Sequence, residues 1–524
     1  MSFARALVTV SGFTMLSRVA GFVRDTLTAM FLGAGTEADA FFVAQRIPNL
    51  FRSLFAEGAF SAAFVPLYTA EKERHGDEAA KLFAGEALAL MIALLVPFTI
   101  LIMLLMPWAL RLIAPGFHDE PIKFALAVKY STITFPYLLL ISITALQSGV
   151  LNAHGRFGPG AAAPIMLNIV MISALLFSSF FSWNVAEALS WGMVISGAAQ
   201  ALWLAISCRN ARINIPLMWP HLSEAGRKLF KNIGPGAVGA GATQINLLLT
   251  TILASMLPTG AVSYLYYADR LNQLPLGIIG VAVATTLLPI LSKHETNGDS
   301  GAIRHTISRA IEFSFVLGLP SAVGLGLAAG PIVQTLFEHG AFTHLDTVET
   351  AATLSAYSLC IPAFLLAKIF ASRFFSYQDT KTPVQIAIVC MVANVTLAVL
   401  LMNWLEHVGM ALATSAATWL NVILLYRKLQ KRGESLADET LKKRLPRLFI
   451  SAGGMSVLTF LTCRWTAFLF DSTPLLSKMG GLLLIMGLSS VFYAVLLHIT
   501  GAMQLGEILT RFKGAPAQKG KSDV

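Results

Sequence analysis

The chain has 524 residues, 56% hydrophobic and only 13% charged, with a formal charge of +10 and a mean hydropathy of +0.69. That charge density is about half that of an ordinary soluble domain, which excludes a soluble fold, while the apolar complement suffices for about fourteen membrane-spanning helices of about 20 residues each. Unbroken apolar runs such as ALALMIALLVPFTILIMLLM (87–106) exclude the short alternating segments of a β-barrel and leave an all-α polytopic membrane protein.

In chain order, the apolar runs and their polar punctuation predict helices over 8–32, 38–69, 84–113, 125–152, 159–181, 185–208, 232–256, 262–292, 308–337, 350–377, 383–404, 407–427, 448–470 and 476–500. With the N-terminus inside, 26 of the 38 Lys and Arg residues fall on inside loops and termini, counting Arg5 and the tail residues Arg511, Lys513, Lys519 and Lys521. Only Arg111, Lys123, Lys129 and Lys478 fall outside, so both termini are expected in the cytoplasm. The positive charge therefore reports topology and not nucleic-acid binding. The first run lacks a small-residue cleavage site, so no removable signal peptide is expected. Cys208, Cys360, Cys390 and Cys463 are scattered, with neither CxxC nor histidine at ligand spacing, so no metal site or disulfide framework is expected.

The sequence also repeats itself. VAQRIPNL (43–50) matches YADRLNQL (267–274), AAFVPLYT (62–69) matches TTLLPILS (285–292), and LIAPGF (112–117) matches LFEHGAF (336–342), all displaced by about 224 residues; Pro136 and Asn168 match Pro362 and Asn394 in the same order. The repeat unit is six helices, an even number, so two parallel lobes related by an axis along the membrane normal are expected, with the last two helices outside the repeat. Between the copies, 209–231 reads as a basic, partly amphipathic linker on the cytoplasmic surface.

Eight basic residues remain within the expected spans: Arg18, Arg24, Arg46, Arg52, Arg270, Lys368, Arg373 and Arg464. A charge at mid-bilayer costs about 2.5 to 3.5 kcal/mol on insertion scales, so several in one bundle call for a wet interior. Gln45, Asn49 and Arg52 form one polar stripe at helical spacing, and Ser263, Tyr266, Arg270 and Gln273 form another on the repeat-equivalent helix. Ser17, Arg18, Arg24 and Asp25, with Gly12 and Gly21, suggest a bent first helix whose polar side turns inward. Lys368 is read as lining the same cavity; Arg464 reads as a snorkelling residue, and Arg46 and Arg373 fit either role. Asp25, Asp39 and Asp269 are candidate supporting carboxylates that pair with the arginines, and Glu57 beside Gly58 is read as orienting its helix. Arginines around one cavity suit a phosphate or pyrophosphate, whose oxygens the guanidinium fork engages bidentately. Neither a P-loop nor a nucleophile with a base at motif spacing is found, so a transporter and not an enzyme is expected.

SRVAGFVRD (17–25), GAGTEADAFFVAQRIPNLFRSLFAEGAFSAAFVP (33–66), YYADRLNQLPLGIIGVAVATTLLP (266–289) and QDTKTPV (378–384) closely resemble the MurJ (MviN) family of lipid II flippases in the multidrug/oligosaccharidyl-lipid/polysaccharide exporter superfamily, over essentially the whole chain. The resemblance implies transport of lipid II, the undecaprenyl-pyrophosphate-linked peptidoglycan precursor, from the inner to the outer leaflet of the bacterial inner membrane, with membrane lipids and other cell-wall synthesis proteins as partners and no cofactor. It implies that Arg18, Arg24, Arg52 and Arg270 are the essential cavity arginines, with Asp25 and Asp39 beside them. It further implies an N-lobe (1–208), the cytoplasmic linker (209–231), a C-lobe (232–432), a lipid-tail groove built on helices 13 and 14 (433–505) and a cytoplasmic tail (506–524). Where some members hold sodium through carboxylates in helices 7 and 11, this chain offers Gln244, Asn246 and Asn394, so membrane potential or protons are the expected drivers. The rival reading, a cation-coupled drug or oligosaccharide-lipid exporter on the same scaffold, predicts an acidic cavity where this sequence offers a basic one.

Overall fold

In the computed structural model the described residues are 3–52, 59–470 and 474–503, with the side chains of 3–8, 59, 230 and 233–243 left aside. Glu57 and the tail 506–524 lie outside the described residues. The helices are α1 (Phe3–Leu32), α2 (Thr36–Arg52), α3 (Ala59–Leu104), α4 (Met106–Ile113), α5 (Pro121–Thr134), α6 (Tyr137–Ala153), α7 (Gly158–Phe181), α8 (Val185–Asn210), α9 (Glu224–Ser255) and α10 (Ala261–Thr296), followed by α11 (Ser300–Leu327), α12 (Ala329–Leu336), α13 (His344–Ser358), α14 (Ile361–Ser376), α15 (Lys381–Lys431), α16 (Glu439–Trp465) and α17 (Leu475–Ile499).

Ten stretches among the described residues are long and apolar enough to cross a membrane. Two of them, α3 and α15, break at Gly76 (φ 87°) and Glu406 (φ 46°), so each supplies parts of two expected spans. With α1 and α9 added, the described helices are consistent with the fourteen expected spans. The bundle wears its apolar side chains outward: Leu104, Leu112, Phe180, Trp404 and Leu476 are exposed. A water-facing surface would not tolerate so much large apolar area, whereas lipid solvates it.

Several helices begin earlier than hydropathy suggests, and capping explains two of the largest extensions. Ser223 accepts a hydrogen bond from the Gly226 N–H, starting α9 at 224 instead of 232, and Asp438 accepts from the Leu441 N–H, starting α16 at 439 instead of 448. A cap satisfies orphan N–H groups in water, so a helix can extend past the apolar run that the bilayer requires. The expected amphipathic linker is accordingly divided, with a turn at 211–212, residues 213–223 outside regular secondary structure and the remainder in the ends of α8 and α9.

The chain forms two compact units. The first comprises Met1–Tyr267 with Leu336–Thr347 and Val399–Met410; there α7 packs on α1 and α8, α5 on α2, and α3 on α6 and α9. The second comprises Ala268–Thr335, Val348–Ala398 and Ala411–Val524, where α11 packs on α14 and α16, and α16 on α17. Its apolar core runs through Ile307, Ile361, Leu365, Phe374, Leu429 and Leu448. Buried charge in the second unit is paired. Fully buried Glu312 accepts from Arg444 at 2.6 Å and also pairs with Arg309, which in turn grips Asp438 at 2.9 Å, tying α11 to the start of α16.

Candidate functional site

In the first unit, Arg24 is the organised member of the expected cation set. Its Nε and Nη2 donate to Asp25 Oδ1 at 3.1 and 2.7 Å, and its Nη1 donates to Asn168 Oδ1 at 3.1 Å. The Asn168 amide also donates to the Ser17 carbonyl at 2.9 Å, so one α7 side chain fixes both the backbone of α1 and its guanidinium. Asp25 is buried and also accepts from the Tyr266 hydroxyl at 3.3 Å, while the Tyr266 ring stacks on Phe42 with centroids 4.0 Å apart. A Cβ at Gly21 would sit 3.7 Å from the Asn168 amide, in ordinary contact, so the arrangement does not require glycine there. Asn168 entered the sequence argument only as a repeat match, and its burial on α7 is a long-range fact that local spacing does not encode.

The other candidates occupy different settings. Arg18 is exposed on α1, seven residues before Asp25, and Ser17 is half-buried. On α2, Arg52 Nε donates to Asn49 Oδ1 at 3.1 Å while Asn49 donates to the Gln45 carbonyl at 2.9 Å, so the predicted stripe exists as a hydrogen-bonded series. Arg46 donates to Thr251 at 2.9 Å beside a small apolar pocket of Ile47, Leu50 and Leu247. In the second unit Arg270 and Asp269 are half-buried, with Asp269 accepting from Gln273 at 2.5 Å, and Lys368 is exposed with its ammonium 5.3 Å from the Phe364 ring centroid. Arg464 is exposed over Phe460, as snorkelling predicts.

Arg373 takes the structural role. It is buried, bonds Glu434 at 2.7 Å, Glu295 at 2.6 Å and the Tyr377 hydroxyl at 2.5 Å, and lines a polar cavity of about 490 Å³ with Arg304 and Arg432. These residues lie in or beside the basic loops, so this cluster fastens the basic ends of α10, α14 and α15.

Asp39 and Ser263 differ from the sequence expectation. Both are 0% exposed. Among the described residues Asp39 pairs with a lysine and not with an arginine: its carboxylate accepts from the Gly260 N–H (2.8 Å), the Ser263 N–H (2.9 Å) and the Ser263 hydroxyl (2.6 Å), and forms an ion pair with Lys123 Nζ at 3.1 Å. An aspartate on α2 thereby caps α10 from outside, where orphan N–H groups and the helix dipole favour an anion. Ser263 is thus a capping partner here and not a cavity wall. Lys123, assigned by topology to a loop, is fully buried; it also reaches Glu120 at 3.4 Å and Thr259 at 3.1 Å. A buried cation held by one buried carboxylate is what makes that burial tolerable. One sign was present in the sequence: Asp39 and Ser263 stand 224 residues apart, the repeat offset.

Around this pair the ends of the helices remote from the basic loops are stitched together. The Tyr267 hydroxyl donates to the Gly33 carbonyl (2.9 Å), the Ala341 N–H donates to the Met30 carbonyl (2.8 Å), and the Tyr264 hydroxyl donates to Asp346 (3.0 Å) while its ring lies against His407. Gly33 and Gly340 permit the approach. Both have positive φ, and a Cβ would lie 2.5 Å from the Ala341 carbonyl oxygen or 2.3 Å from the Met30 carbonyl oxygen. Segments from both halves of the sequence, 30–39 and 336–346, meet in this seal.

Apolar helices of spanning length with large apolar side chains exposed on their outer faces define a multi-pass membrane protein. The fold agrees: a multidrug resistance transporter of the multidrug and toxic compound extrusion (MATE) family in an inward-facing conformation matches 81% of this chain and 97% of its own, with a TM-score of 0.68 at 14% identity. A solved lipid II flippase MurJ in an inward closed conformation matches 95% of this chain and 100% of its own, with a TM-score of 0.77 at 25% identity. The family model "Lipid II flippase MurJ" matches residues 28–487. A relative from Rhizobium meliloti named "Probable lipid II flippase MurJ" is 41% identical over 96% of this chain and 95% of its own, and the "Lipid II flippase MurJ" of Burkholderia cenocepacia is 34% identical over 95% and 96%. The chain belongs to the MurJ family of lipid II flippases.

Proposed function

We propose that this chain carries lipid II from the cytoplasmic to the outer leaflet of the bacterial inner membrane by alternating access. The observation that supports this most strongly is full-length similarity, at about two residues in five, to proteins named lipid II flippases. On this reading both termini and the basic loops face the cytoplasm, as the positive-inside rule requires. The contacts around Asp39 and Lys123 then lie at the outer ends of their helices.

The cargo carries a pyrophosphate, and Arg24 is positioned for an anion because Asp25 and Asn168 fix the plane of its guanidinium. Arg18, Arg52 and Arg270 are assigned as further contacts to the headgroup, Ser17, Asn49 and Lys368 as additional polar contacts, and Asp25 and Asp269 as supporting carboxylates. Moving a charged headgroup through such a path avoids its transfer into hydrocarbon, while the polyprenyl tail stays in lipid along α16 and α17, the last two helices. The lobes 1–208 and 232–432 are assigned as the moving bodies. Membrane potential or protons are assigned as the driver, and other cell-wall synthesis proteins as partners. The test is binding of lipid II and of a phosphate-free analogue to wild type and to Arg24→Ala/Arg52→Ala protein in detergent. Selective loss of lipid II binding supports the assignment; equal loss of both ligands refutes it.

A further inference from the structure

We propose that residues 209–231 form an interfacial clamp that binds anionic phospholipid, a role separate from transport of the cargo. The strap is built with two faces. α8 closes at Asn210 with Arg212 in the left-handed region (φ 59°) and the Ile213 N–H bonded to the Cys208 carbonyl. The chain then runs extended across α3. Ile213 is buried, and Pro216 and Met218 lie so close to Gly85 that a Cβ there would be 2.5 Å from the Pro216 carbonyl oxygen and 3.0 Å from the Met218 sulfur. The next α3 residue, Glu86, is buried and accepts from both the N–H and the hydroxyl of Ser223, each at 2.7 Å.

With its back pinned to α3, the strap turns its large apolar side chains outward: Trp219 is 91% exposed, Leu217 78% and Leu222 47%. Its depth is fixed by its neighbours. Gly85 and Glu86 stand at the edge of the span expected from residue 84, and the strap leaves α8 where the span expected to 208 ends. That is headgroup depth, where Trp partitions because its ring is apolar and its N–H polar. The charges select the lipid. Arg209, Arg212, Arg227 and Lys231 are exposed within this stretch, and its one acidic residue, Glu224, is matched by Lys228 at 2.7 Å. A net charge of about +4 beside an inserted tryptophan suits phosphate-bearing lipid, and each cation near an anionic surface contributes roughly a fivefold gain in binding.

The test uses the full-length protein in nanodiscs of zwitterionic lipid, with or without phosphatidylglycerol, and reads Trp219 as the emission difference between wild type and Trp219→Phe. Lipid brominated near the headgroup is the quencher. The Trp219 component is expected to be blue-shifted and quenched, with brominated phosphatidylglycerol quenching more strongly than its zwitterionic counterpart. The apparent affinity for it should fall roughly fivefold in Arg212→Gln and again in Arg212→Gln/Arg227→Gln, and weaken with added salt. All three positions are exposed, so unchanged thermal unfolding should accompany these losses. An unquenched, water-like Trp219 would overturn the proposal and favour a soluble protein partner for this face. Equal quenching by both lipids, unaltered in the charge variants, would overturn the anionic selectivity.

Discussion

Removing the ammonium of Lys123 should loosen the contacts around Asp39. Lys123→Met leaves Asp39 fully buried without its 3.1 Å cation, although three hydrogen bonds from Gly260 and Ser263 remain. Breaking one side of a buried pair costs about 3 to 5 kcal/mol, and the surviving hydrogen bonds argue for about 3. At 1.36 kcal/mol per tenfold, the open population then rises by roughly a hundredfold. The readout is the labelling rate of Ala29→Cys by a membrane-impermeant thiol reagent applied from outside, in a background lacking the four native cysteines. Ala29 is fully buried and its carbonyl accepts from the Gly33 N–H, so its labelling reports opening. The double variant Asp39→Asn/Lys123→Met removes both charges and should return the rate to within about tenfold of the parent, because the two residues are coupled. An unchanged rate in Lys123→Met, or a double variant whose effect is the sum of the singles, would refute the assignment of this pair as the seal.

Three further outcomes follow from particular contacts. Gly340→Ala places a methyl against the Met30 carbonyl at a positive φ, a strain of about 1 to 3 kcal/mol, so labelling at Ala29→Cys should rise; an unchanged rate would show that 340 does not close the seal. Asn168→Leu removes one bond from Arg24 and one from the Ser17 carbonyl, so it should weaken lipid II binding about tenfold while the phosphate-free analogue is little affected; equal weakening of both would assign Asn168 to packing alone. The carboxyl of Asp379, in the loop before α15, is held down to about 2 by the Thr382 N–H, then by the Arg432 guanidinium. Because its folded value is lowered, its stabilisation is complete above the ordinary value near 3.8 and is lost as pH falls toward about 2. The melting difference between wild type and Asp379→Asn in detergent should therefore be constant from neutral pH to about 5 and shrink below 4. A difference that grows on acidification would contradict it.

Much of the fold was legible because the bilayer imposes length and hydropathy on every span. The fourteen segments follow from that constraint, and the structure adds where helices bend, at Gly76 and Glu406, and where caps extend them into water, at Ser223 and Asp438. The α2 stripe was legible because Gln45, Asn49 and Arg52 are neighbours on one helix face. Partners brought together only by tertiary packing were not. Lys123 reads as a loop cation until α2 supplies its buried carboxylate, and Asn168 reads as one polar residue in an apolar run until α1 brings Arg24 to it. Of the carboxylates expected beside the arginines, Asp25 pairs with the adjacent Arg24, whereas Asp39 pairs with a lysine 84 positions away that the sequence gives no reason to prefer.

The central claim is that an arginine-bearing path carries lipid II outward. Its most direct test is the fraction of lipid II accessible on the outer face of cells depleted of this protein and supplied with either wild type or Arg24→Ala/Arg270→Ala. Accessibility is expected to fall on depletion, with wild type alone restoring it. Unchanged accessibility on depletion, or full rescue by the double variant, would contradict the claim.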